Sequence, residues 1–424
     1  MSRTVPGPSS LKILHILDHS VPLRDGYTSR TQNIFREQQA RGWLPIALTS
    51  PRHEASWKGP SPEKEVIDGF CYFRTGACSN SIPFLGELSL MRSLAKRLEV
   101  VAQLERPDLL HAHSPVLNAL PALWIGRKLG IPVVYEVRAL WEDAIVDHGR
   151  FARDSLKYKT ARCLETWACR RSAQVAVISN GLRNELIRRG IPADSLTTVF
   201  NGINPQDFRS SGPDLATAKK LGILGKQVLG FIGSFNRYEG LDLLIEAVRE
   251  LALKREDITL LLVGSGEMEN DLRNQIEATK MQDRIILMGR IPHKQISGLY
   301  SVIDILVYPR YSIPLTEIVT PLKPLESMSM GKPIIASDIG GHRELIQDGY
   351  TGLLFKAGDI NSLLEKLNLL LDDPGLRSRL SMQEVEWVHQ NRSWEKTTSA
   401  YSGIYSMALG AAGPPSSLEP DMTK

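Results

Sequence analysis

The residues best suited to chemistry lie between positions 317 and 346, EIVTPLKPLESMSMGKPIIASDIGGHRELI. Pro324 suits the first position of a helix, Glu326 stands in its first turn, and Gly331 ends it. A helix start that faces a cleft offers free N–H groups and a positive dipole end, a seat for a diphosphate. Beside it, Glu326 can accept hydrogen bonds from ribose hydroxyls and Lys323 can neutralise phosphate. After the strand PIIAS, Asp338-Ile339-Gly340-Gly341 makes a glycine turn that lets a second backbone come close. Taken alone, the same residues also fit a dipole-matched surface glutamate and an ordinary helix-to-strand loop.

These residues need a scaffold, and the hydrophobic pattern supplies one. Strand signals fall at 11–17, 45–49, 70–74, 108–113, 132–137, 174–178 and 196–200, then at 227–233, 258–264, 284–288, 304–308, 333–337 and 352–355. Several are short continuous apolar runs, as in strands covered on both faces. Amphipathic helices lie between them, for example 241–254 (LDLLIEAVRELALK) and 361–371 (NSLLEKLNLLL). This alternation predicts an α/β protein with parallel sheets, and the strand count exceeds one comfortable sheet. Polar and turn residues replace the periodicity at 205–226, so two doubly wound, Rossmann-like domains facing each other across a cleft are expected. Ligands in such sheets bind outside the carboxyl ends of the strands.

The run Pro-Leu-Glu-Ser-Met-Ser-Met-Gly-Lys-Pro-Ile-Ile-Ala-Ser-Asp-Ile-Gly-Gly, followed by Glu344-Leu345-Ile346 and Asp348-Gly349-Tyr350-Thr351-Gly352, resembles the donor-binding region of retaining family-4 glycosyltransferases. Further pieces stand in the family's order: Asn201-Gly202-Ile203, Gly233-Ser234-Phe235 leading into Gly240-Leu241-Asp242, Val263-Gly264-Ser265-Gly266, Gly289-Arg290-Ile291, and Asp304 to Pro309. The stretches Tyr135 to Asp143 and Val319 to Glu326 resemble a subgroup associated with bacterial exopolysaccharide and exosortase gene clusters. The resemblance implies the two-domain GT-B fold and sugar transfer with retention. It also implies a nucleotide-sugar donor on the C-terminal domain (206–391) and a glycan or lipid-linked acceptor on the N-terminal one (1–205). A helix at about 392–408 would pack back on the first domain, and 409–424 would be a disordered tail. No cofactor or catalytic metal is implied. Independently, no Asp-x-Asp occurs in the chain, so the usual metal-nucleotide clamp is missing. Protein groups must then stabilise the leaving diphosphate.

The resemblance gives His113 to the transferred sugar and Gly26 to the glycine loop beside the diphosphate, while the chemistry of the residues gives Glu326 to the ribose and Lys323 and Arg237 to the diphosphate. Asn201, Gly233, Ser234, Gly264, Arg290, Ile291, Arg310 and Leu325 are the further donor-binding candidates, and Arg30, which opens the helix after the first strand, and Arg138 and Glu142, which follow the fifth, are the acceptor candidates. Arg138 and Glu142 fit a salt-bridged loop equally well. Two departures stand out. The family's first glutamate falls on Ile318, with Glu317 beside it. The family's loop arginine and lysine fall on Ser234 and Glu239, so the diphosphate charge must be met by Lys323, Arg237 and Arg310. His111 and His113 point to the same side of their strand. A paired-histidine metal site has the spacing there, but no third ligand is evident, and His111 reads as packing.

Composition narrows the classes. Hydrophobic residues at 42% and charged residues at 23% are those of an ordinary globular protein. The net charge of +4 is too small for a nucleic-acid binder. Four cysteines without a Cys-x-x-Cys pair make neither a disulfide scaffold nor a zinc ribbon, and a reduced cytoplasmic setting fits best. No apolar run reaches the ~18 residues of a membrane span. Residues 150–171 nevertheless hold seven cations (Arg150, Arg153, Lys157, Lys159, Arg162, Arg170 and Arg171) against Asp154 and Glu165. Leu88, Leu90, Met91 and Leu94 stand beside Arg92, Lys96 and Arg97. The run fits a solvated helix face, and it also fits peripheral contact with an anionic membrane at the inner face of the cell membrane. Two other readings of the chain stay open: a nucleotide-sugar epimerase on the same architecture, and a non-catalytic sugar-nucleotide-binding subunit.

Overall fold

A computed structural model describes residues 11–59, 61–77, 85–143, 155–208, 212, 214–291 and 293–411. The chain divides into two compact units, Met1–Phe200 with Thr398–Lys424, and Asn201–Thr397. Met1 to Ser10, Cys78, Arg150, Arg153 and Asp154 lie outside the described residues. So do residues 412–424 of the expected tail, whereas its first three residues belong to the helix Tyr401–Ala411.

The first unit is built on an eight-stranded sheet: β1 (Lys12–Leu17), β2 (Leu44–Thr49), β3 (Lys64–Ile67), β4 (Phe70–Phe73), β5 (Leu109–His113), β6 (Val133–Val137), β7 (Gln174–Val177) and β8 (Leu196–Thr198). Their order is β3-β4-β2-β1-β5-β6-β7-β8. All pairings are parallel except β3 with β4. The β3 strand is absent from the sequence reading because KEVI alternates on an exposed edge instead of forming an apolar run. Its signal was the Asp68-Gly69 turn, where both residues have positive φ (52° and 84°), the geometry of a tight hairpin.

The second unit carries a six-stranded, wholly parallel sheet: β9 (Gln227–Ile232), β10 (Ile258–Val263), β11 (Ile285–Met288), β12 (Ile305–Tyr308), β13 (Ile334–Ser337) and β14 (Leu353–Phe355). Its order is β11-β10-β9-β12-β13-β14. Every residue of β10, β12 and β13 is buried, which is why these strands read as continuous apolar runs. The helix Leu241–Ala252 buries Leu241, Leu244, Ile245, Val248 and Leu251, one face at helical spacing.

Strand order reverses direction between β1 and β5 in one sheet, and between β9 and β12 in the other. These switch points leave a crevice at the carboxyl strand ends. The second unit closes its own chain ends together: Ile203 N–H donates to Arg392 O and Trp394 N–H to Ile203 O. Beyond it, the helix Tyr401–Ala411 packs on the first unit's sheet and buries Tyr401, Ile404, Tyr405 and Ala408.

Candidate functional site

In the second unit the site grows from the ends of β9 and β12. A side chain on Gly264 (φ 144°) would place its Cβ 1.8 Å from Gly233 O, so the ends of β9 and β10 meet backbone to backbone. After Gly233 the chain makes a single turn, Arg237–Glu239, and leaves it at Gly240 (φ 69°), whose Cβ would lie 2.1 Å from Pro309 O. Only glycine fits both the dihedral and the contact there. The turn drives the Glu239 carboxylate inward, where it is 1% exposed.

Glu239 accepts hydrogen bonds from Arg310 Nε (3.1 Å) and Nη2 (2.9 Å) and from Lys323 Nζ (2.6 Å). Burial alone would raise its carboxyl, but the Arg310 and Lys323 charges overcome that and hold it at about 2. Two cations and one carboxylate leave the cluster with one positive charge. Burial lowers Lys323 from its ordinary value, and Arg310 lowers it further while Glu239 opposes both. The Lys323 ammonium also lies 4.5 Å from the centre of the Phe231 ring and 3.4 Å from Ser234 O.

The helix Lys323–Ser329 is locked from beneath by two buried tyrosines. Tyr308 Oη donates to Lys323 O (3.2 Å), and Tyr300 Oη donates to Glu326 Oε2 (3.0 Å). Glu326 is half-buried, and Oε1 carries no hydrogen bond among the described residues. Burial pushes its carboxyl up to about 7 against the opposing pull of the Tyr300 hydrogen bond and of Lys323. An ionised Glu326 therefore presents one open oxygen beside an ammonium.

The start of this helix offers less than its sequence promises. Pro324 has no N–H, and those of Leu325 and Glu326 turn back onto Leu322 O (3.0 and 3.4 Å). Charge on Lys323, not a row of free amides, is what the helix brings. Three further expectations change. Arg237 is 71% exposed and pairs with Asp271 at 3.8 Å, and its backbone N–H donates to Glu267. Leu325 is wholly buried in the core, and Asn201 is buried with Nδ2 donating to Thr320 O (3.0 Å). Gly233, exposed Ser234, Gly264, Arg310, Lys323 and Glu326 thus gather at one strand-end edge, and exposed Arg290 and half-buried Ile291 follow β11 along it. Glu317 is spent on structure: Oε2 accepts from Gly340 N–H (2.8 Å) and Oε1 from Ser312 Oγ (2.6 Å).

In the first unit, β1 and β5 pair His15 with His111, and the three residues His15, His111 and His113 are fully buried. Their hydrogen bonds fix one another. Arg138 Nη2 can only donate, so His113 Nδ1 accepts (2.7 Å) and the ring proton sits on Nε2. From there the chain runs His113 Nε2 to His15 Nδ1 (2.8 Å), His15 Nε2 to Gln38 Oε1 (2.9 Å), Gln38 Nε2 to Tyr405 Oη (2.8 Å) and Tyr405 Oη to His111 Nδ1 (2.8 Å). Burial lowers all three histidines, His113 to about 3, so each is neutral.

Buried Glu136 anchors the surroundings, accepting from Arg30 Nε (3.0 Å), Arg138 Nε (2.7 Å) and Tyr401 Oη. His15 supplies the third ring that the sequence did not reveal beside His111 and His113. However, a 2.8 Å separation of two ring nitrogens is a hydrogen bond. Two ligands of one tetrahedral ion with ~2.0–2.1 Å bonds would stand ~3.3 Å apart. The cluster is a hydrogen-bonded core, with a guanidinium against it.

These contacts engage four residues expected at the transferred sugar or the acceptor. His113 has no open nitrogen for a sugar. Arg30 is 2% exposed and donates to Glu136 and Val199 O. Arg138 stacks on Tyr27 (4.2 Å) and donates to Tyr27 O and Thr31 Oγ1, which braces the start of the helix Gly26–Ala40. Glu142 is wholly buried against Arg189 (2.5 Å). Exposed Gly26 opens the helix Gly26–Ala40, capped by Asp25. What the sequence reading missed at this strand end is His19. Burial would lower it, but Asp18 (3.2 Å) and Asp25 (2.6 Å) raise it to about 9, and its ring stacks on Tyr27. The available signal was Asp18-His19 directly after the first strand.

Two family models share the chain. Residues 25–202 match the glycosyl transferase 4-like domain and residues 216–387 match glycosyl transferases group 1. An uncharacterised glycosyltransferase of Methanocaldococcus jannaschii is 22% identical over 363 residues, covering 83% of this chain and 88% of its own. Among solved structures, a sucrose-phosphate synthase from Thermosynechococcus elongatus superposes with a TM-score of 0.76 at 21% identity, covering 95% of this chain and 100% of its own. Anabaena HepE in complex with UDP gives 0.73 at 18% identity, covering 93% and 100%. The two sheets have the GT-B architecture. The chain is a glycosyltransferase related to the group 1 and family-4-like enzymes.

Proposed function

We propose that the chain transfers a sugar, with retention and without a metal, from a nucleotide-sugar donor to a glycan or lipid-linked acceptor. The observation that carries this reading is the pair Glu326 and Lys323 at the strand-end edge of β9 and β12. One carboxylate oxygen is held by Tyr300 and the other is open to a ribose diol. The Lys323 ammonium, three residues before Glu326 on the same helix, is the charge assigned to the diphosphate. The UDP found with HepE supports a nucleoside diphosphate as the leaving group. The acceptor hydroxyl attacks the anomeric carbon on the face that the diphosphate leaves. The C–O bond to phosphate breaks, and the hydroxyl proton passes to the departing phosphate oxygen. Lys323 and Arg310 meet the charge that develops there, electrostatic work done by groups already in place. No protein nucleophile is needed.

The setting is exopolysaccharide or cell-envelope glycan synthesis in the cytoplasm, with peripheral contact at an anionic membrane. No helix among the described residues is long and apolar enough to cross a membrane. The first unit supports a surface contact. The helices Leu85–Glu105, Val116–Leu129 and Leu156–Arg171 pack side by side and expose Leu88, Trp124, Leu156 and Trp167. On the last of them Glu165 is buried against Tyr135 and pushed up to about 8, and Lys159, Arg170 and Arg171 stand exposed, while Lys157 and Arg162 pair with Glu87 (3.6 Å) and Glu185 (3.5 Å) of neighbouring helices. Aromatic rings among cations suit a headgroup layer.

A titration of nucleoside diphosphates and their sugars by calorimetry and thermal shift tests the donor. A ligand that binds the native protein raises its melting temperature by mass action. Release of free nucleoside diphosphate only when an acceptor is present marks transfer. Absence of any nucleotide binding refutes the reading.

A further inference from the structure

We propose that Glu239 is the positioning residue of the donor phosphate site: it holds Lys323 Nζ over Gly233, so that the cation reaches the diphosphate from the helix Lys323–Ser329 instead of from the loop. The inference rests on the donor reading above and assigns a role to a residue that looked, in sequence, like a lost cation.

Three observations carry it. The first is where Lys323 lies. A Cβ on Gly233 would come within 2.2 Å of Lys323 Cε and 2.7 Å of Nζ, so the lysine lies directly on the glycine that ends β9. The bare backbone at Gly233 makes room for an ammonium, and a side chain there would expel it. The second is how the ammonium is held. Its partners are the Glu239 carboxylate at 2.6 Å, the Phe231 ring face at 4.5 Å and Ser234 O at 3.4 Å. The carboxylate and the ring are buried. The Ser234 carbonyl is the long contact on the exposed side, and it is the one a phosphate oxygen would replace. The third is Arg310. It is 8% exposed, spends Nε and Nη2 on the same carboxylate, and stacks over Tyr238 at 5.4 Å. Arg310 therefore fixes Glu239, and Glu239 fixes Lys323.

A carboxylate here looks self-defeating next to an anionic ligand. Its use is preorganisation. A lysine has a flexible four-carbon stem, and an unheld ammonium at this strand end would spend its time in water. A developing charge is stabilised most by a donor that does not move during the reaction. The Glu239 charge reduces the field, but the cluster stays positive and Nζ keeps one direction for the leaving group.

The experiment pairs Glu239→Gln with Glu239→Asp and reads turnover, binding of the free nucleoside diphosphate, and melting temperature on the full chain. An amide is an uncharged partner for the ammonium, so for Glu239→Gln diphosphate affinity should be unchanged or tighter while kcat falls at least tenfold. Glu239→Asp keeps the charge but draws Nζ back by one methylene. It should keep diphosphate affinity within threefold and lose kcat in the same direction. Lys323→Met should weaken diphosphate binding at least tenfold and leave the nucleoside unaffected. A purely structural Glu239 would lower melting temperature, affinity and kcat together. Wild-type kcat in Glu239→Asp, or parallel loss of kcat and affinity in a folded Glu239→Gln, overturns the proposal. Wild-type protein that binds no nucleoside diphosphate refutes the donor reading instead, a distinct result.

Discussion

Replacing Glu326 by Gln should make the protein more stable and less active at once. The carboxyl is half-buried and its acidity is moved from 4.5 to about 7, chiefly by burial. A displacement of that size corresponds to about 3 kcal/mol between the two protonation states. Partial exposure reduces the usable part to roughly 1–2 kcal/mol. The sign follows from proton binding. Between the unfolded value near 4.5 and the folded value near 7, the native state holds a proton that the unfolded state has lost. Stability is therefore greatest below 4.5 and falls as pH rises through 7. Gln keeps an acceptor for Tyr300 Oη and carries no charge to desolvate. The variant should gain stability at pH 8, with most of the gain gone at pH 4.5. Urea unfolding at both values measures it, followed in the second unit where the transition is not two-state for the whole chain. Transfer should fall at least a hundredfold at pH 8, because a neutral amide cannot accept from both ribose hydroxyls. A variant less stable than wild type at pH 8, or a stability difference that does not vary with pH, refutes the burial argument. Near-normal turnover refutes the ribose contact.

The same carboxyl sets a pH profile for the wild type: kcat/KM for the donor should fall as pH drops below about 7, measured in initial rates from pH 5.5 to 8. His113→Ala removes a bridge between Arg138 and His15, so it should cost about 2–4 kcal/mol of stability and leave donor KM within twofold, checked by denaturation and steady-state kinetics. Gly264→Ala would force a Cβ to within 1.8 Å of Gly233 O and should abolish nucleotide binding or folding of the second unit, read by thermal shift with and without nucleoside diphosphate. Replacing Trp124 and Trp167 by Ala together should release the protein from anionic vesicles in a flotation assay at low salt, while vesicles of neutral lipid should bind neither form.

The strand framework was legible because burial on both faces writes long apolar runs: every strand expected from the sequence is present within two or three residues at its ends. The edge strand β3 escaped because an exposed alternating segment leaves no such run. Local geometry was legible where it follows from a residue's own type and turn, as with the first-turn Glu326 and the strand-end glycines Gly233 and Gly264. Contacts that depend on a distant partner were not legible. Glu239 and Lys323 are 84 positions apart, and only the fold puts 2.6 Å between their charges. The internal partners of Arg30, Arg138 and His113 were hidden for the same reason. Their polar types suggest a ligand, yet each is consumed by Glu136, by backbone carbonyls or by a neighbouring ring. Tyr300 and Tyr308 read as core, and their rings are core; only their hydroxyls serve the site.

Both units bury a carboxylate beneath the ends of their central strands and clasp it with two cations. Glu136 takes Arg30 and Arg138, and Glu239 takes Arg310 and Lys323. Neither arrangement is an efficient source of stability, since desolvating three charges costs several kcal/mol that the attraction only offsets. The difference between them lies in the choice of cation. At Glu136 both partners are arginines whose remaining donors go to Val199 O, Phe200 O, Tyr27 O and Thr31, so the charge is spent on fixing the fold. At Glu239 one partner is a lysine, a point charge with a side chain 18% exposed and one long contact that a ligand can take over. Had Lys323 been an arginine, its planar fork would pair with Glu239 through two donors and close the site in the manner of Glu136. Lys323→Arg is thus the sharpest probe of this logic. It preserves charge, and it should still cost diphosphate affinity at least tenfold with melting temperature unchanged or raised. Affinity equal to wild type would show that net charge alone, without the reach of a single ammonium, defines the phosphate site.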